Sequence, residues 1–209
     1  MAFATDPATR AYYELRAAEY DDWWNGTGRF AARERPGWDA EVQEVVALLQ
    51  GLAPARTLDV ACGTGFLTRH LPGEVVALDQ SAAMVDITSS RVPRADVRVG
   101  DALALPFSDR AFERLFTAHF YGHLDAAERA AFLPEAARVA GELIVVDSAW
   151  RPGVDPAGWQ ERILDDGSRH RVFKRFLRPE ELAAELDGEV LFTGTWFVAA
   201  RAVAVPSAP

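Results

Sequence analysis

The chain has 209 residues, 49% hydrophobic and 25% charged, the balance of one ordinary globular domain with a full core. A net charge of −9 argues against a general nucleic-acid-binding role, which needs a broad basic surface. No apolar run approaches a membrane span and the N-terminus lacks a signal-peptide pattern; Cys62 is the sole cysteine, so no internal disulfide forms and a cytoplasmic protein with no metal site is expected.

Residues 1–35 hold Tyr12, Tyr13, Tyr20, Trp23, Trp24 and Phe30, at spacings that only partly fit a helical stripe. Two readings are open: a helix packed on the domain, or a lid over a ligand pocket. Residues 38–52 predict an amphipathic helix, with Val42, Val45, Val46, Leu49 and Leu52 on one face and Gly51 and Pro54 at its end. Residues 57–65, TLDVACGTG, organise the chain. An apolar strand carrying Asp59 runs into a turn with Gly63 and Gly65, and a helix is expected to start directly after. The glycines let backbone approach a ligand, and the free N–H groups of that helix would face the same place.

A second apolar strand, 74–79, ends in Asp79, and Ser81 is an N-cap for the helix that follows. Strands are expected over 95–99, 112–118 and 142–148. Asp125 with Glu128 reads as a capping box opening a helix to about Val139. Residues 179–187 predict a helix with Pro in its first turn, and 189–193 with 195–204 a terminal antiparallel hairpin. Alternating strands and helices predict an α/β doubly wound, Rossmann-like fold, a seven-stranded and mostly parallel sheet closed by that hairpin. Residues 150–178 are the least regular and carry Arg162, Arg169, His170, Arg171, Lys174 and Arg175.

A Gly-rich strand–helix turn alone is shared by several nucleotide binders. Here it lacks the lysine and hydroxyl pair of a phosphate-binding loop. Asp59 lies inside the first strand, where a carboxylate suits an ammonium group rather than a pyrophosphate. Asp79 can accept both hydroxyls of a ribose. Gly100-Asp101-Ala102 offers a carboxylate and a backbone N–H to an adenine edge. A NAD-linked dehydrogenase is disfavoured by Asp59 and by the short turn.

The runs LDVACGTG, VVALDQSAAMV, GDALALPF, HFYGHLDAAERAAFLPEAARV and ELIVVD, in this order, resemble the class I S-adenosylmethionine-dependent methyltransferases, small-molecule type. The resemblance is close over 57–148 and loose elsewhere. It implies S-adenosyl-L-methionine as cofactor, with Asp59, Ala61, Gly63 and Gly65 at its methionine end. Asp79 would bind the ribose hydroxyls with Gln80 beside it, Met84 would pack on adenine, and Asp101 and Ala102 would meet the adenine edge. His119 would lie near the methionine moiety, and Tyr20 resembles an N-terminal tyrosine that closes over the cofactor. The expected organisation is one domain over 1–209, with 1–35 as lid and 150–178 covering the acceptor.

The implied activity is methyl transfer to oxygen, nitrogen or carbon of a small-molecule acceptor, largely through proximity. The alternative is a protein that binds the cofactor and transfers nothing. His119, Tyr121 and His170 are the acceptor-side catalytic candidates, and Arg169, Arg171 or Lys174 would bind an acidic acceptor. His123 reads as structural and Cys62 as a small buried filler. No nucleic-acid or membrane partner is expected, and a homodimer is left open.

Overall fold

The computed structural model describes residues 6–203. Residues 1–5 and 204–209, including the last residue of the strand expected over 195–204, lie outside the described residues.

Four apolar runs make the sheet's centre. Strands β1 (Thr57–Val60), β2 (Val75–Asp79), β4 (Phe112–Ala118) and β5 (Ala140–Ser148) pair in parallel, and β3 (Asp96–Val99) extends the β2 edge. Each residue of β1 and β2 is buried, as strands covered on both faces must be. β8 (Glu189–Thr193) and β9 (Phe197–Val203) form the terminal hairpin, with β9 antiparallel to β5. The resulting order is β3-β2-β1-β4-β5-β9-β8, seven strands. From β1 the chain winds first outward through β2 and β3, then back across to β4. The order therefore reverses at β1, where an open α/β sheet leaves a crevice at the strands' carboxyl ends.

Helices α1 (Pro7–Arg16) and α2 (Asp22–Asn25) lie in the aromatic N-terminal segment, followed by α3 (Trp38–Gln50), α4 (Ala82–Arg91), α5 (Ala126–Val139) and α6 (Pro179–Glu185). Ser81 caps α4 by accepting from the Met84 N–H at 3.2 Å, and both arms of the Asp125–Glu128 capping box form.

Two expectations need correction. The turn at Gly65 does not open an α-helix; only a short 3₁₀ turn, Thr68–His70, follows. Gly65 sits at φ 73°, and Pro72 biases Leu71 to an extended conformation, so too few residues remain between them for α-helical turns. The stretch 150–178 is not irregular. It contains β6 (Ala157–Ile163) and β7 (Arg169–Arg175), an antiparallel pair that stands as a separate two-stranded sheet. Its outer face carries Trp159 (43% exposed) and Ile163 (38%), and its inner face carries Gln160, Arg162, Val172 and Lys174. The apolar-in, polar-out alternation is inverted because the inner face lines a cavity.

Candidate active site

The carboxyl ends of β1, β2 and β4 converge on a cleft closed from above by the N-terminal segment. Tyr20, Ala61, Gly63, Asp79, Gln80, Met84, Asp101, Ala102 and His119 all line it. Asp59 and Gly65 do not. Asp59 faces an adjoining small cavity that also touches Tyr20, Ala61 and His119. Gly65 is required for packing: a Cβ there would come within 3.0 Å of Thr88 Cγ2 on α4.

Asp79 is 7% exposed, and its carboxylate accepts the Ser81 N–H on one oxygen and the Gly63 N–H on the other, both at 2.9 Å. Gly63, at φ 55°, turns its N–H onto this carboxylate. The cradle's N–H thus fixes an acid instead of meeting a ligand directly. Burial raises the Asp79 pKa to about 6, against the pull of those N–H groups. Carboxylate oxygens keep spare acceptor capacity, so Asp79 can still receive two hydroxyls. Burial also raises Asp59, to about 7, although Thr68 Oγ1 donates to it at 2.6 Å. Asp101 is exposed and accepts the Leu103 N–H at 2.8 Å.

The N-terminal segment is fastened over this cleft by two carboxylates. Glu14 accepts the N–H groups of Ala82 (2.6 Å) and Ala83 (3.0 Å), the first two residues of α4. Asp21 accepts from Thr64 Oγ1 and from Arg91, each at 2.5 Å. Between them Tyr20 lies against Gly63, where a Cβ would meet the phenol ring at 3.5 Å.

His119 stands where the cleft meets a second, larger cavity of about 540 Å³. It holds a left-handed backbone, φ 54°, uncommon outside glycine and costly unless its surroundings impose it. Its ring is enclosed by Trp23, Trp24 and Phe197, with centroids 4.7, 5.1 and 5.6 Å away. Nδ1 faces Ser148 Oγ at 3.4 Å and Asp147 Oδ1 at 3.7 Å; these acceptors favour the tautomer protonated at Nδ1. Nε2 is buried with no hydrogen-bond partner among the described residues. Burial, reinforced by Lys174 and Arg16 and opposed by Asp147, lowers the imidazole pKa to about 3, so the ring is neutral at pH 7.

The second cavity lies between the N-terminal segment and the β6–β7 hairpin, and Tyr13, Tyr20 and His119 line both spaces. Lys174 reaches it, but its ammonium is bound to Asp147 Oδ1 at 2.5 Å. His123 also reaches it, with Nδ1 donating to the Phe173 carbonyl at 2.6 Å, which ties the hairpin to the sheet. The structure brings neither Tyr121 nor His170 to the cleft or to the second cavity. Tyr121 is fully buried and its hydroxyl donates to Glu185 on α6 at 2.9 Å. His170 packs on Tyr12 and pairs with Ser168; it lines neither cavity. Arg169 is tied to Glu161 and Arg171 lies over Trp159, both on the hairpin's outer side. Sequence reasoning missed Arg16, Arg33, Arg35 and Arg151 as cavity residues. No motif marks them; only the fold brings their three segments together. Cys62 lies among buried groups that raise its thiol pKa, burial foremost, so it is not an activated nucleophile.

Residues 57–142 match a family described as a methyltransferase domain. Among curated relatives, a demethylmenaquinone methyltransferase of Thermotoga maritima is 34% identical over 113 residues, 50% of this chain and 48% of that protein. An uncharacterized methyltransferase of Mycobacterium tuberculosis is 30% identical over 133 residues, 61% of this chain and 51% of that protein. The chain thus spans about half the length of the curated relatives it matches. Among solved structures, the DhpI–SAH complex superposes with a TM-score of 0.72 at 27% identity, covering 96% of this chain and 97% of that one. The glycopeptide N-methyltransferase MtfA complexed with sinefungin shares the fold, with a TM-score of 0.59 at 20% identity, over 78% of this chain and 92% of that one. Residues 57–142 thus match a methyltransferase domain, set in a fold shared with a protein solved in complex with SAH.

Proposed function

We propose that this chain transfers the methyl group of S-adenosylmethionine to a small-molecule acceptor held in the second cavity. The observation that carries the reading is the junction at His119, where a cleft built around Asp79 adjoins a separate cavity large enough for a small acceptor. The cleft suits the cofactor. A buried carboxylate ends β2, Met84 offers an apolar face, and Asp101 and Ala102 stand at the far end.

When bound, S-adenosylmethionine supplies an electrophilic methyl on a sulfonium, whose sulfur takes the S–C bond pair as the methyl leaves. The protein's part is alignment. Asp79 fixes the ribose hydroxyls, Tyr20 covers the cleft as a lid, and the aromatic wall of Trp23 and Trp38 excludes water from the acceptor side. Neutral His119 presents a lone pair at Nε2 to a hydroxyl or amine of the acceptor and fixes which atom faces the methyl. Its low pKa makes proton removal late, once bond formation has made the acceptor atom acidic. Asp147 and Ser148 hold the ring's other nitrogen and its tautomer. The described part of the N-terminal segment, residues 6–35, acts as the lid and 150–178 as the acceptor cover.

The test is incubation of the protein and S-adenosylmethionine with a panel of small hydroxylated, aminated and enolic acceptors. Release of S-adenosylhomocysteine that depends on an acceptor supports the reading. Tight cofactor binding with no acceptor-dependent release across the panel would favour a binding protein without transferase activity.

A further inference from the structure

The protein carries a net charge of −9, yet the second cavity is lined by Arg16, Arg33, Arg35, Arg151, Arg162 and Lys174 against one carboxylate, Glu34. Lys174 is neutralised by Asp147. Among the described residues, none of the five arginines has an ion-pair partner. Arginines elsewhere are mostly paired: Arg169, on the same hairpin as Arg162, bonds Glu161 at 2.7 Å. Five of the ten guanidinium groups without an ion-pair partner among the described residues therefore line this one cavity.

Four of the five lie over aromatic rings, Arg16 over Tyr20 at 4.9 Å among them. Arg35 donates to the Trp23 carbonyl at 2.7 Å and lies over Trp38; Arg151 lies over Trp196. Arg16 bonds only a phenol, the Tyr12 hydroxyl, at 2.5 Å. Arg33 lies over Phe30, and Arg162 makes no hydrogen bond among the described residues. These three come from α1, the loop before α3 and β6, and they meet on one wall between the second cavity and a smaller one that also carries Glu19, Asp22 and Glu161. Burial pushes the Arg162 pKa down, and repulsion from Arg16 and Arg33 adds to it. Like charges held together at a half-buried wall are costly unless an anion completes them.

We infer that Arg16, Arg33 and Arg162 form an oxyanion subsite, so that the acceptor carries a phosphate, phosphonate or carboxylate group distal to the atom that is methylated. Guanidinium forks match the planar or tetrahedral oxygens of such groups two at a time. The anion anchors one end of the acceptor on this wall, and the other end extends past Tyr13 and Tyr20 toward His119 Nε2. Anchoring also joins the lid, through Arg16, to the hairpin, through Arg162, so the acceptor itself closes the cavity. The inference rests on the proposed function for what the acceptor is used for, but not for whether the anion binds.

Calorimetric titration tests it, with inorganic phosphate in one arm and acetate in the other, on the protein with and without S-adenosylhomocysteine. Phosphate binding tighter than acetate assigns the subsite to a tetrahedral dianion, and the reverse assigns it to a carboxylate. Arg162→Gln should weaken the preferred anion at least roughly tenfold, the loss of a charge-assisted pair. Arg162→Lys, which keeps the charge and loses the fork, should fall between. Arg169→Gln, outside the cavity, should stay within about twofold of the parent protein. Neither anion binding, or Arg162→Gln and Arg169→Gln weakening it equally, overturns the inference even if S-adenosylhomocysteine binds. Anion binding without any S-adenosylhomocysteine binding would instead overturn the methyl-transfer reading and leave the subsite standing. Arg33→Gln repeats the test if Arg162→Gln melts below the parent protein.

Discussion

The Glu14 carboxylate accepts the backbone N–H of Ala82 at 2.6 Å and so joins helix α1 to helix α4, which follows Asp79. The next N–H, of Ala83, is bound by the other oxygen. These are orphan donors at a helix start, and an anion there is doubly favoured. Burial opposes ionisation of Glu14, but the two N–H bonds prevail and hold its pKa below the usual carboxylate range.

Glu14→Ala should therefore loosen the lid. Helix-cap losses of this kind cost about 0.5–2 kcal/mol. S-adenosylhomocysteine should bind several-fold more weakly, with most of the change in its dissociation rate, read by stopped-flow fluorescence of the nearby tryptophans. An unchanged dissociation rate would count against a lid role for residues 1–35.

Asp59 makes a pH prediction. Its folded-state pKa is raised from 3.8 to about 7, with burial first among the causes. The native protein then holds a proton that the unfolded chain has lost, so stability falls as pH rises across that window, by about 1.4 kcal/mol per unit. Asp59→Asn removes this cost while leaving an oxygen to accept from Thr68. Its melting temperature should exceed that of the parent at pH 8, and the gap should close by pH 4. Cofactor affinity should fall in the same variant, since the acid that would meet the methionine ammonium is gone. A gap that is constant with pH would sink the assignment.

Asp147 behaves in the opposite sense. Burial alone would raise it, but Lys174, with His119 and His123, lowers its pKa from 3.8 to about 2. The stabilisation is present above the ordinary carboxyl pKa and is lost as pH falls through about 2. Lys174→Met leaves a buried carboxylate without its partner, a loss of about 3–5 kcal/mol. Urea denaturation at pH 7 should show that loss, and it should shrink by pH 3. A Lys174→Met protein as stable as the parent at pH 7 would contradict the buried pair.

His119→Ala separates chemistry from binding. For an acceptor that must lose a proton, kcat should fall by about 10²–10⁴. S-adenosylhomocysteine affinity, measured in parallel, should change much less. Because the ring titrates near pH 3, the parent's kcat/KM should show no limb from His119 between pH 5 and 8. A tenfold loss of cofactor affinity without a loss of kcat would reassign His119 to the cofactor.

The sheet was legible in the sequence because its central strands are continuous apolar runs and its helix starts carry strong caps, such as Ser81 and Asp125. Most residues lining the cleft at the strand ends were singled out too, since they sit at strand ends in fixed order. Two things were hidden. The hairpin β6–β7 pairs a polar inner face with an exposed Trp159, so hydrophobic alternation gave no strand signal. The acceptor wall is assembled from Arg16, Arg33, Arg151 and Arg162, far apart in the chain, and no spacing rule links them. Tyr121 and His170 were attractive by position along the chain, but side-chain direction took one into the core and the other onto Tyr12.

The central claim is that the cleft at the ends of β1 and β2 holds the methyl donor through Asp79. Isothermal titration calorimetry of the full chain with S-adenosylhomocysteine tests it most directly, beside Asp79→Asn, which keeps an acceptor for one of the two N–H groups. The account predicts a single site in the parent protein and at least a roughly tenfold weaker one in Asp79→Asn, the loss of charged hydrogen bonds to the ribose. No binding by the parent, or equal binding by both proteins, would contradict it.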